Sequence, residues 1–329
     1  MKSLDQYWYS ANPVALSLLP LSWLFCSLAV LRRFFYLRGF LPGHAVPVPV
    51  IIVGNISVGG TGKTPLLIGL CDYLSRHGFK PGVVSRGYGA DVRGTHAVSV
   101  NDSAAHCGDE PLLIRRRTGC PVVIGKDRAA AAKDLLAENE CDLILSDDGL
   151  QHYRLKRNIE LAVVDSERGF GNGFCLPAGP LREPVSRLDN VDMVVYHGNT
   201  DENYHFYLEF GEAHNLVSAE TRTPDLFAGG PVHAVAGIGH PQRFFNQLRS
   251  LGLELIEHAF PDHYQFAASD IDFADGLPIL MTEKDAVKFS GQAMAQSAEL
   301  LKNAWSLPVN AKLSDRLGQD LLLLIKQTR

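Results

Sequence analysis

Residues 50 to 64 read VIIVGNISVGGTGKT, and the last eight of them are the types that grip phosphate. Ser57, Val58, Gly59, Gly60, Thr61 and Gly62 form a glycine-dense loop that closes on Lys63 and Thr64. In such a loop the backbone N–H groups point at phosphate oxygens, the lysine adds a point charge and the threonine hydroxyl ligates Mg²⁺. The general pattern begins with glycine, whereas this chain has Ser57 there, with three glycines still keeping the loop pliable. A second group closes the run DLILSDD, where Asp147 and Asp148 follow an apolar stretch. A carboxylate at the C-terminal tip of such a strand is the Walker B arrangement, which holds Mg²⁺ or its water shell. Phosphoryl transfer to an acceptor hydroxyl also needs a base or orienting group, and cations for the charge in flight. Asp109 and His263 are the candidates for the first, Arg128 and Arg182 for the second. Spacing alone does not bring these four together.

The elements that must position these residues follow a regular alternation. Val50–Val53 is a β-branched strand, and PLLIGLCDYLSRHG after the loop reads as a helix. Then come a brief strand at Val83–Val84, a helix in CGDEPLLIRRRTG, a strand in PVVIG, an alanine-rich helix in KDRAAAAKDLLAEN and the DLILSDD strand. Strands alternating with helices predict a doubly wound, mostly parallel sheet whose C-terminal edge carries the ligands. IELAVVD and VDMVVYHG add strands, with the loop LPAGPLREP presenting Arg182 and Glu183 between them. From about residue 200 the pattern changes: YHFYLEF alternates as a half-exposed strand of a hairpin with the segment near Leu216. PVHAVAGIG then opens a second α/β run that ends in a C-terminal helix. The expected organisation is an N-terminal helix over 1–42, a P-loop core over 43–200 and a smaller α/β lobe over 201–329, with the active site in the cleft between lobes.

Composition narrows the function classes. A 46% hydrophobic content over 329 residues supports a large core, and a net charge of −5 excludes a nucleic-acid binder that relies on overall positive charge. The six cysteines show no metal spacing and read as reduced, mostly buried thiols. Residues 14–31 carry no charge, and Arg32, Arg33 and Arg38 follow with aromatic residues interleaved. This stretch reads as a marginal membrane span interrupted by Pro20, as a helix lying in the membrane interface, or as a core helix.

A P-loop with a Walker B carboxylate serves a GTPase, a switch ATPase or a small-molecule kinase. Thr282–Glu283–Lys284–Asp285 holds the letters of a guanine motif in the wrong register. The partitioning ATPases carry a lysine early in the loop, where this chain has Ser57 and Val58.

Seven motifs in order, GNISVGGTGKTP, SRGYG, GDEP, DDGLQHYRL, LPAGPLREP, FPDHY and TEKDAVKF, resemble the tetraacyldisaccharide 4′-kinase family of lipid A biosynthesis. The resemblance spans residues 50 to 289, and the family shares both the Ser57 departure and an apolar N-terminal segment. It implies a kinase, dependent on ATP and Mg²⁺, that phosphorylates the 4′-hydroxyl of a tetraacylated glucosamine disaccharide 1-phosphate at the cytoplasmic face of the inner membrane. By the same resemblance Asp109 is the catalytic aspartate and His263 the histidine working with it. Lys63 and Thr64 hold phosphate and magnesium, Asp147 and Asp148 are the metal carboxylates, and Arg128 and Arg182 serve the phosphate site. Tyr88, Gln151, His152 and Glu183 are implied to contact the disaccharide headgroup, while Leu150 and Tyr153 receive no role. The rival expectation is a membrane-targeted switch ATPase acting on a protein partner.

Overall fold

The structure is a computed structural model that describes residues 7–10, 12–218, 220–289 and 299–328. The strands in chain order are β1 (Val50–Gly54), β2 (Pro81–Ser85), β3 (Thr95–Ala97), β4 (Val122–Gly125), β5 (Leu143–Asp147), β6 (Ile159–Asp165), β7 (Met193–His197) and β8 (His205–Phe210). They continue as β9 (Ala213–Asn215), β10 (Thr221–Arg222), β11 (Pro231–Ala236), β12 (Glu254–Ala259), β13 (Ile279–Thr282), β14 (Ala304–Leu307) and β15 (Val309–Leu313). Two compact units emerge. One holds the described residues up to Arg86 with 120–207 and those from Ala311 onward, and the other holds Gly87–Gly119 with Leu208–Asn310.

In the first unit the hydrogen-bonded order is β15-β8-β7-β6-β1-β5-β2-β4. Strands β1, β2, β5 and β6 are buried along their whole length, as parallel strands covered on both faces must be. Their apolar composition therefore shows no alternation. Helix α3 (Lys63–Arg76) connects β1 to β2 and buries Leu66, Leu67, Leu70 and Leu74, a stripe at helical spacing. Helix α6 (Arg128–Glu138) connects β4 to β5, capped by Asp127, whose carboxylate accepts from Ala129 N at 3.0 Å. β1 lies beside β5 in parallel, with Val53 opposite Asp147, so the loop after β1 and the turn after β5 are neighbours on one sheet edge. This is the doubly wound sheet the alternation predicts.

The second unit carries a smaller mixed sheet in the order β10-β9-β14-β13-β11-β12. β12, β11, β13 and β14 run parallel, and β9 returns antiparallel to β14. Helix α7 (Pro241–Ser250) buries Phe244, Phe245 and Leu248 in this unit's core. YHFYLEF does not form the expected hairpin: β8 pairs with β7 in parallel, while β9 pairs with β14 and β10. Its alternation reports a half-exposed strand but carries no information about which neighbour supplies the ladder.

The unit boundaries also differ from 43–200 and 201–329, because 87–119 groups with the later residues. Its helix α5 (Asp109–Thr118) is bound there by ion pairs of Arg117 with Glu283 and of Glu110 with Lys284. The helix expected in CGDEPLLIRRRTG is α5, which carries Asp109 and Glu110 in its first turn; Gly108 at φ +90°, where a side chain would be strained, separates it from the short α4 (Ala104–Cys107).

At the N-terminus, α1 (Pro13–Ser17) leads into α2 (Leu19–Leu37). Ser22 is the one buried residue of α2, and its hydroxyl donates to Cys175 O at 2.7 Å. Leu21, Trp23, Leu24, Phe25, Leu28 and Leu31 are exposed. Among the described residues, no helix is long and apolar enough to cross a membrane.

Candidate active site

The loop expected to grip phosphate is shaped by its glycines. Gly62 adopts φ +88° and caps α3 without a side-chain hydrogen bond to the helix's first N–H groups. A Cβ at Gly62 would lie 2.5 Å from His197 Nδ1. That imidazole sits below the loop, donates to Thr61 O at 3.0 Å and stacks on Phe206. Arg168 donates to Gly60 O at 2.9 Å, Asn55 Nδ2 to Thr61 Oγ1 at 3.1 Å, and Val58 N to Pro180 O at 2.8 Å. Ser57 bridges to Leu181 in the LPAGPLREP loop. Neither His197 nor Arg168 carried a sequence signal, since each lies more than 100 residues from the backbone atom it holds.

The two aspartates behave differently. Asp147 is buried at the end of β5 and accepts from Ser85 Oγ at 3.0 Å. Asp148 adopts a left-handed φ of +45°, uncommon for a residue with a side chain, and turns its carboxylate to Lys63 at 3.6 Å and Arg182 Nη1 at 2.8 Å. Burial pushes the Asp148 carboxyl up, but Lys63, Arg182 and Arg128 outweigh it and hold the group well below the usual carboxylate range. Arg128 is buried and donates to the carbonyls of Asp147 and Asp148 at 2.9 and 3.0 Å. It thus fixes the turn from behind, and its desolvation lowers its own pKa.

Thr64, Asp147 and Asp148 offer hydroxyl and carboxylate oxygens, the donor set Mg²⁺ prefers. No cage of three or more His, Cys, Asp or Glu side chains is present among the described residues. The set fits a Mg²⁺ ion that keeps waters and shares phosphate oxygens, as in kinases, rather than an all-protein site.

The residues expected at the headgroup fall into two environments. Gln151 Nε2 donates to Asn55 O at 3.1 Å and to Glu183 at 2.9 Å. Glu183 is 2% exposed and also accepts from the Tyr153 hydroxyl, so its carboxylate is committed to the protein rather than to a pocket. This gives Tyr153 a place: it is buried, with the Arg157 guanidinium 4.9 Å over its ring. His152 Nε2 accepts from Arg128 N at 3.3 Å; burial, with Arg128 and Arg157 nearby, lowers its pKa to about 4.

In the second unit, Asp109 opens α5 and is 5% exposed. His263 Nδ1 donates to Asp109 Oδ2 at 2.9 Å, from a backbone held at φ +60°. Burial pushes Asp109 up, but the hydrogen bond from His263 and the charges of Lys284, His263 and Lys288 leave it below the ordinary carboxylate value. The same hydrogen bond raises His263. Tyr88 is exposed and lays its ring 4.9 Å from that of His263.

A P-loop joined to a Walker B turn on a doubly wound sheet, with a carboxylate–imidazole pair in the second unit, defines a P-loop phosphotransferase. The family model described as tetraacyldisaccharide-1-P 4′-kinase matches residues 14–326. Tetraacyldisaccharide 4′-kinases from Nitrosococcus oceani and Azoarcus sp. are 46% and 48% identical over 98% and 100% of this chain and 94% and 97% of theirs. The Pseudomonas aeruginosa kinase is 48% identical over 92% of this chain and 91% of its own. A crystal structure of LpxK from Aquifex aeolicus in complex with ATP superposes with a TM-score of 0.78 at 30% identity, covering 95% of this chain and 99% of that one. The chain belongs to the tetraacyldisaccharide 4′-kinase family: it is an ATP-using kinase of lipid A biosynthesis, not a switch ATPase.

Proposed function

We propose that the enzyme moves the γ-phosphoryl group of ATP to the 4′-hydroxyl of a tetraacylated glucosamine disaccharide 1-phosphate, giving the lipid IV-A precursor. Residues 57–64 cradle the triphosphate, with Lys63 neutralising phosphate oxygens and Thr64 and Asp147 holding Mg²⁺. When bound there, Mg²⁺ would supply positive charge to offset that developing on the transferring phosphoryl group. Asp148 is the counter-ion that keeps Lys63 and Arg182 aimed, and Arg182 assists the phosphoryl oxygens in flight. Asp109, kept ionised beside His263, orients the 4′-hydroxyl and accepts its proton. Tyr88, Gln151 and His152 contact the headgroup, and Glu183 acts from below as the strut of Gln151.

The acceptor's acyl chains stay in a bilayer, so the enzyme must work at its surface. Helix α2 supports that reading: its apolar side chains are bare, and Arg32, Arg33 and Arg38 follow at headgroup level. The location we infer is the cytoplasmic face of the inner membrane, peripheral rather than spanning. ATP and the positive flanking residues both belong on that side.

The observation that carries this reading is the Asp109–His263 pair. A buried carboxylate held as an anion by an imidazole suits deprotonation of a bound hydroxyl, and a nucleotide switch has no need of one. The test uses purified full-length protein, detergent-solubilised lipid acceptor and γ-labelled ATP. Label is expected in the lipid phase, and label confined to free phosphate would overturn the reading. Asp109→Ala should lower kcat by roughly 10²–10⁴-fold with the ATP KM unchanged. Near-normal turnover would remove Asp109 from the base role.

A further inference from the structure

The TEKDAVKF segment, residues 282–289, has no part in the reaction as described, yet its charged side chains gather around Asp109. Thr282 caps the short helix α8 (Glu283–Ala286), accepting from Asp285 N at 3.2 Å and donating to Asp285 Oδ2 at 2.6 Å. Asp285 is 0% exposed and takes a further hydrogen bond from Gly237 N at 2.8 Å. Its other oxygen lies 2.7 Å from Lys288 Nζ. The Lys288 side chain is 3% exposed, rests its ammonium 5.2 Å from the Phe266 ring centroid and stands 4.0 Å from Asp109 Oδ2. One ammonium is therefore fixed by a fully buried carboxylate and directed at a second one. Lys284, whose charge also acts on Asp109, is itself shared between Glu110 at 2.9 Å and Asp262 at 3.0 Å.

We infer that Lys288 is a positioning residue for the proposed base: anchored by Asp285, it holds Asp109 as a carboxylate aimed at His263. This rests on the reading of Asp109 as the base. Every charged or titratable group near the pair takes part in the balance. Helix α5 contributes Glu110, the end of α4 Cys107 and the loop after β2 Tyr88, and the turn before Tyr264 contributes Asp262 and His263. Lys284, Asp285 and Lys288 come from α8 and the turn after it. With His263 alone beside it, Asp109 would lose its cationic partner whenever the imidazole gave up its proton. Lys288, held by Asp285 at 2.7 Å, places a second cation 4.0 Å from Asp109 Oδ2, independent of the imidazole.

The test is the pH profile of lipid phosphorylation by the full-length enzyme in detergent, with ATP saturating. An opposite charge within about 4–6 Å lowers a carboxyl pKa by about 1–3 units, so removing it should reverse a shift of that order. Lys288→Gln, which keeps a donor for Asp285 but no charge, should displace the acid limb of kcat/KM upward by about one pH unit. Lys288→Arg should restore the limb, and the ATP KM should not change in either variant. Asp285→Asn breaks the same contact but leaves the cation undivided for Asp109, so its limb should stay at or below the wild-type position. A purely structural role would move both variants the same way. An unmoved limb in folded Lys288→Gln would overturn the inference, as would an upward shift in Asp285→Asn. Should Lys288→Gln not fold, Asp285→Asn decides alone on the direction of its limb. Failure of the underlying base assignment is read separately, as near-normal turnover in Asp109→Ala.

Discussion

His152 offers a sharp measurement of the electrostatics around the phosphate site. Its ring is half-buried, bonded to Arg128 N, and lies near the guanidinium groups of Arg128, Arg157 and Arg32. Burial first and these cations second lower its pKa from 6.5 to about 4. The folded state therefore favours the neutral ring, whereas the unfolded chain binds a proton at the ordinary value. Above pH 6.5 His152 makes no difference to stability. As pH falls from 6.5 to about 4 the unfolded state gains the proton first, so stability is lost across that window and levels off below it. At about 1.4 kcal/mol per unit the whole shift corresponds to about 3 kcal/mol, reduced to about 2 kcal/mol by the screening of a partly exposed ring. The direct assay is an NMR titration of the histidine ring protons, with the His152 signal assigned by its loss in His152→Gln. The expected midpoint is near 4, together with a flatter pH dependence of urea unfolding in the variant over pH 4–6.5. A His152 signal titrating at the ordinary histidine value would refute the reasoning, because a ring so placed cannot stay unshifted beside those charges.

Two further outcomes follow from the geometry. Gly62→Ala puts a Cβ at φ +88° and 2.5 Å from the His197 ring. The left-handed backbone alone costs about 1–2 kcal/mol, so ATP affinity measured by calorimetry should fall about tenfold or more; unchanged binding would remove His197 as the rigid floor of the loop. Leu24→Glu with Leu28→Glu alters exposed positions of α2, so folding should survive while apolar burial in a bilayer is lost. Full burial of a leucine is worth about 1.5–3 kcal/mol, so sedimentation with phosphatidylglycerol vesicles should weaken at least tenfold. Binding equal to the parent protein would show that α2 does not enter the interface.

The glycine-rich loop before α3 was legible from residues 50 to 64 because its shape is local. A β-branched run, glycines that accept positive φ and a following helix are written consecutively, and no distant contact is needed to shape them. The Asp147–Asp148 turn was readable for the same reason, at the end of an apolar strand. Apolar runs with helices between them likewise announced a parallel, doubly wound sheet. Asp109 and His263 could be nominated from their residue types and the family motifs, but their 2.9 Å contact joins positions 154 residues apart.

Long-range convergence is where the letters fell silent. TEKDAVKF was legible as a family motif but carried no role, and only the burial of Asp285 and the direction of Lys288 tie it to Asp109. Glu183 reads as an exposed loop acid, yet the closeness of Gln151 and Tyr153 turns it inward. Residues 87–119 belong with the later unit because Arg117, Glu110 and Asp109 find their partners there. Backbone conformation answers to neighbours along the chain. Charge, burial and pKa answer to neighbours in space, and the topology alone chooses those.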